Sequence, residues 1–328
     1  MPRELDEDDV RIRPGRGSRP RSRQRPDHAE AVPAVVVGVD RGRYSCRPEP
    51  TPERLVAAVR GGSMRRTSVV VGDRVALVGD LSGTTGALAR LVRREERISV
   101  LRRTPDDSDP AERPIVANAD ILVIVCSVTD PAPRPGLVDR CLVAAYDGGL
   151  SPVLCLTKID LADPGPIIEL YRPLGFPVVT TRPDRDLGEL LDLLTGRSSV
   201  LFGHSGVGKS SLVNRLVPAA DRAIGEVNAV TGRGRHTSSA AVALRLPRGG
   251  MVIDTPGVRS FGLGAVAPAR VLSAFSDLAA AAGYCQPGCE HLAPSADCAL
   301  DSAVTEGTAD AARLASLRRL LAARGAPA

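Results

Sequence analysis

Residues 1–32 hold almost no large apolar side chain, whereas from Val35 onward short apolar or alternating runs are separated by Gly, Asp and Pro. Runs at 34–39, 43–46, 68–71, 74–78, 85–91 and 99–101 carry the two-residue period of strands. About five strands in roughly 70 residues predict a small β-barrel, of which an OB-like barrel is one form. The first 32 residues cannot offset ordering entropy by burial and are expected to form a disordered arm.

After a polar run at 104–113 the pattern becomes alternating strand and helix. Strands are expected at 121–126, 153–156, 177–179, 199–202, 241–246 and 251–253, with helices at 137–146, 166–171, 187–194 and 209–216. Such βα repetition predicts a mostly parallel sheet that binds ligands at the C-terminal ends of its strands. Residues 266–328 are alanine-rich and helical in two stretches, interrupted by a Cys/His segment. The expected organisation is an arm (1–32), an OB-like barrel (33–108), an α/β domain (109–265) and a small helical domain (266–328).

Composition narrows the function classes. No run of about 18 apolar residues exists, so a membrane span is not expected, and the N-terminus lacks the apolar core of a signal peptide, so residence in the cytoplasm is expected. The net charge of +5 is unevenly placed, since residues 33–108 carry 14 basic and 9 acidic side chains, and seven arginines between Arg11 and Arg25 have no acid among them. That placement points to a polyanion such as RNA. The competing explanation is an arginine-biased coding background that scatters solvated charge. With aromatics at 2% and no tryptophan, base-stacking platforms are scarce, so arginine contacts to phosphate should dominate.

Lys158 and Lys209 are the only lysines among 43 basic residues, and each stands inside a nucleotide-binding signature. The loop Gly203, His204, Ser205, Gly206, Val207, Gly208, Lys209 and Ser210, followed by Ser211, fits G-x-x-x-x-G-K-[ST] between an expected strand and an expected helix. Its glycines let backbone N–H groups turn toward phosphates, Lys209 is placed to bridge the β- and γ-phosphates, and Ser210 to ligate Mg²⁺. The side chain of His204 is assigned no chemistry. Thr157-Lys158-Ile159-Asp160 resembles the guanine-specificity motif of GTPases, with threonine where asparagine is commoner. Asp160 would accept hydrogen bonds from guanine N1 and N2, and the Lys158 stem would lie over the base. Asp254-Thr255-Pro256-Gly257 would reach Mg²⁺ through its carboxylate and follow the γ-phosphate through the Gly257 N–H. In the polar stretch 231–239, Thr237 is the choice for a second Mg²⁺ ligand, with Ser238 its nearest alternative. Thr180 and Thr181 fall where a last guanine-contacting loop would lie.

The motifs run guanine motif, phosphate loop, switches, which is circularly permuted relative to the usual order. Order, barrel and Cys/His segment together resemble the small ribosomal subunit biogenesis GTPase family, called RsgA or YjeQ, over about residues 33–320. Gly234-Arg235-His236-Thr237 and Asp254-Thr255-Pro256-Gly257-Val258-Arg259 are similar to that family's switches. The resemblance implies GTP hydrolysis with GTP/GDP and Mg²⁺, and a partnership with the small ribosomal subunit and its rRNA. No membrane partner is expected, and the chain is expected to act as a monomer. Val258 stands where a Ras-like enzyme places its water-orienting glutamine, so hydrolysis should be slow until a partner assists. The permuted order also puts the second switch beside residues 266–328, which movement at Gly257 would be expected to reposition. The rival function is a nucleotide-gated RNA-binding translational regulator with incidental hydrolysis.

Cys285, Cys289, His291 and Cys298 supply three thiolates and an imidazole, a set suited to one structural Zn²⁺. The family pattern is C-x₄-C-x-H-x₅-C, and here the first gap is one residue shorter and the last one longer. The alternative is three buried thiols near a surface histidine. Cys46, Cys126, Cys141 and Cys155 read as ordinary buried thiols.

Overall fold

The computed structural model describes residues 28–103, 113–231, 241–255, 266–292 and 297–323. The chain divides into two units, Met1–Glu30 and Ala31–Ala328, and every named element belongs to the second. The expected arm lies outside the described residues as far as residue 27.

Five strands close the barrel: β1 (Val32–Asp40), β2 (Arg43–Pro48), β3 (Val56–Arg60), β4 (Arg74–Gly79) and β5 (Ala89–Arg94), in the order β1-β2-β3-β5-β4 with β4 pairing back to β1. Alternation drives this closure. Val36, Cys46, Val56, Val75, Leu77 and Leu91 pack into one small core. A bulge in β1 breaks the alternation between Val36 and Gly38. Val36 serves the barrel core, and Val37, next to it on the opposite face, belongs to the larger core of the molecule.

Two expectations for this region need correction. Residues 68–71 form no strand, although Val69 and Val71 are buried; their alternation reflects burial in a loop. Asp73 accepts a hydrogen bond from the Val70 N–H at 2.7 Å, and Arg94 and Arg97 donate to the Ser68 carbonyl, so the loop is braced without a ladder. The strand near 99–101 forms as β6 (Val100–Arg103) but pairs with β7 (Arg113–Ala117) rather than with the barrel. The barrel is already closed, and Leu101 and Val116 pack into the larger core.

That larger core surrounds a sheet of β8 (Ile121–Ser127), β9 (Ser151–Thr157), β10 (Val178–Thr180), β11 (Ser198–Phe202), β12 (Val242–Arg245) and β13 (Met251–Asp254), in the order β10-β9-β8-β11-β13-β12. All pairs are parallel except β12–β13. β8 is buried along its whole length, as a central parallel strand with both faces covered must be. Cover comes from α1 (Pro135–Gly148), α2 (Gly165–Tyr171), α3 (Gly188–Leu194), α4 (Lys209–Leu216) and α5 (Ala220–Thr231). Helix α1 starts on Pro135 and stops at Gly149, whose left-handed backbone lets its N–H reach the carbonyls of Ala145 and Tyr146. Helix α5 was not expected from sequence. Ala220, Ala223, Ile224 and Val227 carry its helical spacing, which Pro218 and Gly225 obscure. β12 also pairs with β1 at Gly38↔Val242, which joins the two sheets edge to edge.

Among the described residues four helices follow: α6 (Pro268–Leu272), α7 (Ser276–Ala282), α8 (Ala299–Thr305) and α9 (Ala311–Ala323). Helix α9 is fastened to the α/β body by arginines. Arg319 Nε contacts the buried Asp139 of α1 at 2.8 Å and its guanidinium lies 5.3 Å from the Tyr171 ring centre. Arg313 holds Asp277 with two donors at 2.8 and 2.9 Å and gives a third hydrogen bond to the Pro173 carbonyl at 2.7 Å. A displacement at Gly257, which lies outside the described residues, would have to work against this anchor. Among the described residues no helix is long and apolar enough to cross a membrane.

Burial pushes the Asp139 carboxyl up from its usual range, and Arg319 opposes that shift. Removing Arg319 leaves a buried carboxylate without its cation, so Arg319→Ala should cost about 2–4 kcal/mol at neutral pH. A raised carboxyl favours protonation in the folded state, so the loss should shrink as pH falls into the carboxylate range. Urea unfolding at pH 7 and pH 5 reads both; an equal loss at the two values would remove Asp139 as its cause.

Candidate functional site

The motifs meet at the C-terminal ends of β9, β11 and β13. Leu201 on β11 is in register with Asp254 on β13, and the phosphate loop leaves β11 two residues later. Gly203 lies so close to β8 that a Cβ would come within 2.5 Å of the Val125 carbonyl oxygen, and Gly208 caps α4 in the left-handed region at φ 89°. Lys209 opens α4, with Ser210 and Ser211 in its first turn, so the backbone N–H groups that the helix leaves unsatisfied face this end of the sheet. Lys209 Nζ contacts Asp254 Oδ1 at 3.1 Å, which brings the phosphate-loop cation against the carboxylate of the next motif. Thr255, beside it, donates its hydroxyl to the Leu201 carbonyl at 2.9 Å in a buried position. His204 Nδ1 lies 3.0 Å from the Ser205 carbonyl oxygen, a local contact.

The guanine motif sits two strands over, at the end of β9, with β8 between. Thr157 is buried, and its Oγ1 donates to the Val207 carbonyl at 2.6 Å, directly across to the phosphate loop. The threonine is thus a tether between the two loops. Lys158 has positive φ (60°), and its Nζ donates to the Asp130 carbonyl, which also accepts from the Ser127 hydroxyl at 3.1 Å. The Leu161 N–H bonds to the Lys158 carbonyl at 3.0 Å and tightens the turn. Ile159 is partly buried and Asp160 is exposed at the open end, free to meet a base edge. Thr181 joins this cluster because its N–H bonds to the Leu156 carbonyl at 2.7 Å. Thr237, Ser238 and Gly257 lie outside the described residues.

Sequence reasoning missed Arg215 and Ser127. Arg215, on α4, donates to the carbonyls of Arg182 and Arg185 and ties the loop after β10 to the phosphate-loop helix. Arg215 lies in the last turn of α4, outside every motif. Ser127, the last residue of β8, gave no motif signal at all.

Away from the nucleotide loops, Cys285, Cys289, His291 and Cys298 place their ligand atoms within 4.8 Å of one another. The three Sγ atoms lie 3.7, 3.3 and 3.7 Å from His291 Nδ1. Tetrahedral Zn²⁺ with ordinary bond lengths has S···N edges of roughly 3.5 Å, so the four residues fit the ion despite the shortened first gap. Burial, and after it Arg318, pushes the His291 imidazole down from its usual pKa and so favours the neutral ring a metal requires. Arg318 also donates to the His291 carbonyl at 3.1 Å and grips Asp301 with both terminal nitrogens, while the Ala299 N–H points at Cys285 Sγ at 3.3 Å. These contacts orient the ligand loop from behind.

A family profile described as RsgA GTPase matches residues 94–264. The chain is 37% identical over 264 residues to the small ribosomal subunit biogenesis GTPase RsgA of Pseudomonas aeruginosa, covering 78% of this chain and 76% of that protein. The chain belongs to the RsgA GTPase family. It is therefore a GTP hydrolase, with GTP and GDP as its nucleotides and Mg²⁺ as the accompanying ion. The RsgA protein of Chromohalobacter salexigens is 38% identical over 263 residues, covering 77% of this chain and 74% of its own length. Among solved structures, YjeQ from Thermotoga maritima superposes with a TM-score of 0.66 at 24% identity, covering 89% of this chain and 97% of that one. YloQ, described as a circularly permuted GTPase, gives 0.64 at 24% identity over 91% and 97%. The permuted GTPase fold with its N-terminal barrel is shared with both.

Two outcomes test this geometry. Thr157→Val keeps the shape of the side chain and deletes the tether, so GTP and GDP affinity should fall about 5- to 10-fold, with guanine still preferred over adenine, in nucleotide titrations. Loss of guanine preference instead would put Thr157 at the base. Cys289→Ser should bind less than one Zn²⁺ per chain by elemental analysis and melt earlier; full metal content would break the ligand set.

Proposed function

We propose that this RsgA-family GTPase binds the small ribosomal subunit in the cytoplasm as a monomer and times a late step of its maturation by hydrolysing GTP. The observation that carries the reading is the joining of a nucleotide site to a basic barrel through one continuous sheet. The name shared by the relatives at 37–38% identity supplies the partner.

Within the site, Asp160 reads the guanine edge and the Lys158 stem covers the base. The N–H groups from Gly203 to Ser211 surround the phosphates, and the Lys209 ammonium, held by Asp254, turns to the β- and γ-phosphates when they arrive. Bound through Ser210, Thr237 and Asp254, Mg²⁺ would neutralise charge on the phosphate oxygens. Gly257 follows the γ-phosphate by its N–H. Because Val258 offers no group to orient water, turnover depends on assistance from the partner. One structural Zn²⁺ on Cys285, Cys289, His291 and Cys298 stiffens the helical region.

Two sets stand out among the barrel's arginines. Arg47, Arg54, Arg60, Arg94 and Arg97 donate to backbone carbonyls and brace loops. Arg43 and Arg90 are exposed and fall in one register row, Arg43↔Val59↔Arg90↔Val78, across four strands. That row alternates cation and aliphatic surface and is the face we assign to rRNA phosphates.

GTP turnover measured with and without purified small subunits, ATP serving as control, decides the reading. Acceleration of about 10²-fold or more, confined to GTP, is expected. Intact GTP binding without acceleration would favour the RNA-binding regulator.

A further inference from the structure

Residues 232–240, which include Thr237, are entered from α5 and left into β12, and both of these elements rest on one residue of the barrel. Val242, the first residue of β12, pairs with Gly38 of β1. Val227, in the last turns of α5, covers the other side of Gly38, so closely that a Cβ there would stand 2.5 Å from Val227 Cγ1. Ser45, the register partner of Gly38 on β2, donates its buried hydroxyl to the Val227 carbonyl at 3.1 Å. Gly38 has no positive φ that would demand glycine; only the approach of α5 excludes a side chain.

The same row continues into the site. Val242 is in register with Asp254 across β12–β13, and Asp254 with Leu201 across β13–β11. Gly38 is therefore two strand spacings, about 10 Å, from the residue that holds Lys209. A backbone row in a sheet is stiff, since each residue is fixed by hydrogen bonds on both sides. β1 is continuous with β2, which carries Arg43 of the outer basic row, so the surface assigned to RNA and the carboxylate at the phosphate site share a short path.

We propose that Gly38, Ser45 and Val227 are positioning residues for GTP hydrolysis, through which the barrel sets the placement of α5, β12 and Asp254. The proposal rests on the assembly-GTPase reading for the identity of the barrel's ligand, but not for the geometry. It commits the barrel to a part in turnover as well as in docking. Occupation of the barrel by RNA would be felt at the phosphate site through β1.

Subunit-stimulated GTP turnover of full-length wild type, Gly38→Ala and Gly38→Ala/Val227→Ala tests this. The single variant forces α5 away from β1, and kcat should fall about ten-fold with KM for GTP within about two-fold of wild type. The double variant returns the lost space by exchanging volume between facing residues and should recover to within about two-fold of wild-type kcat. Unchanged kcat in Gly38→Ala, or a double variant no better than the single one, would overturn the proposal. If Gly38→Ala does not fold, Ser45→Ala is the milder probe, and an unchanged kcat there would overturn the proposal equally. A wild type that subunits do not accelerate would sink the assembly reading alone. The same three-way pattern is then read in basal turnover.

Discussion

A guanine nucleotide is long, and a protein that grips it at the base and at the phosphates must keep two loops from different strands at a fixed spacing. Here that spacing rests on one buried hydrogen bond, from Thr157 Oγ1 to the Val207 carbonyl at 2.6 Å. Because the acceptor is backbone, the bond constrains the phosphate loop without occupying its N–H groups, which stay available to anions. Around it, Lys158 and Ser127 share the Asp130 carbonyl, and Arg215 ties the loop after β10 to α4. The loops around the guanine motif are thus held by side chains on carbonyls, while the phosphate loop keeps its backbone N–H groups unused by these contacts. Circular permutation leaves this contact network intact because none of it depends on the order in which the strands are connected.

The helices after residue 266 add a second kind of attachment. They follow the last motif in sequence, yet their strongest contacts reach α1 and the turn after α2 through Arg319 and Arg313. Arginine suits this duty, since a planar fork can satisfy a carboxylate and a carbonyl at once and still lie over a ring. Arg313, Arg318 and Arg319 on one helix serve α7, α8 with the Cys/His loop, and the α/β body respectively. The Cys/His loop is accordingly held by α9, which is itself fastened to α1 and to the turn after α2.

Much of this was legible in the sequence because rare residues mark it. With only two lysines, both in motifs, and a cysteine cluster of ligand spacing, the nucleotide loops and the metal-binding set stood out. α4 was expected at 209–216 and forms as Lys209–Leu216. Local signals failed where tertiary contacts decide. The alternation at 68–71 is real, but it records burial of Val69 and Val71 under arginine-braced carbonyls. Strands β3 and β7 lie in text rich in Ala, Arg and Pro, and exist because neighbours supply their ladders. The tether that Thr157 makes was hidden for a similar reason. A motif names residue types at a spacing, and it says nothing of whether a hydroxyl points to the ligand or to the next loop.

The bulge in β1 bears on the order of synthesis. Val36 and Val37 are adjacent in the chain, but one belongs to the barrel core and the other to the core of the α/β sheet. A ribosome delivers the last barrel strand, β5, by residue 94, and the barrel can then close. The strand that covers Gly38 begins only at Val242, 148 residues later, which at about 5–20 residues per second is a wait of roughly 7–30 s. Throughout that interval the nascent chain carries a finished barrel with a bare strand edge and an unburied valine. The β1 edge at Gly38 is thus the last part of the barrel to gain its neighbour, and it gains it only when the strand beside Asp254 is made.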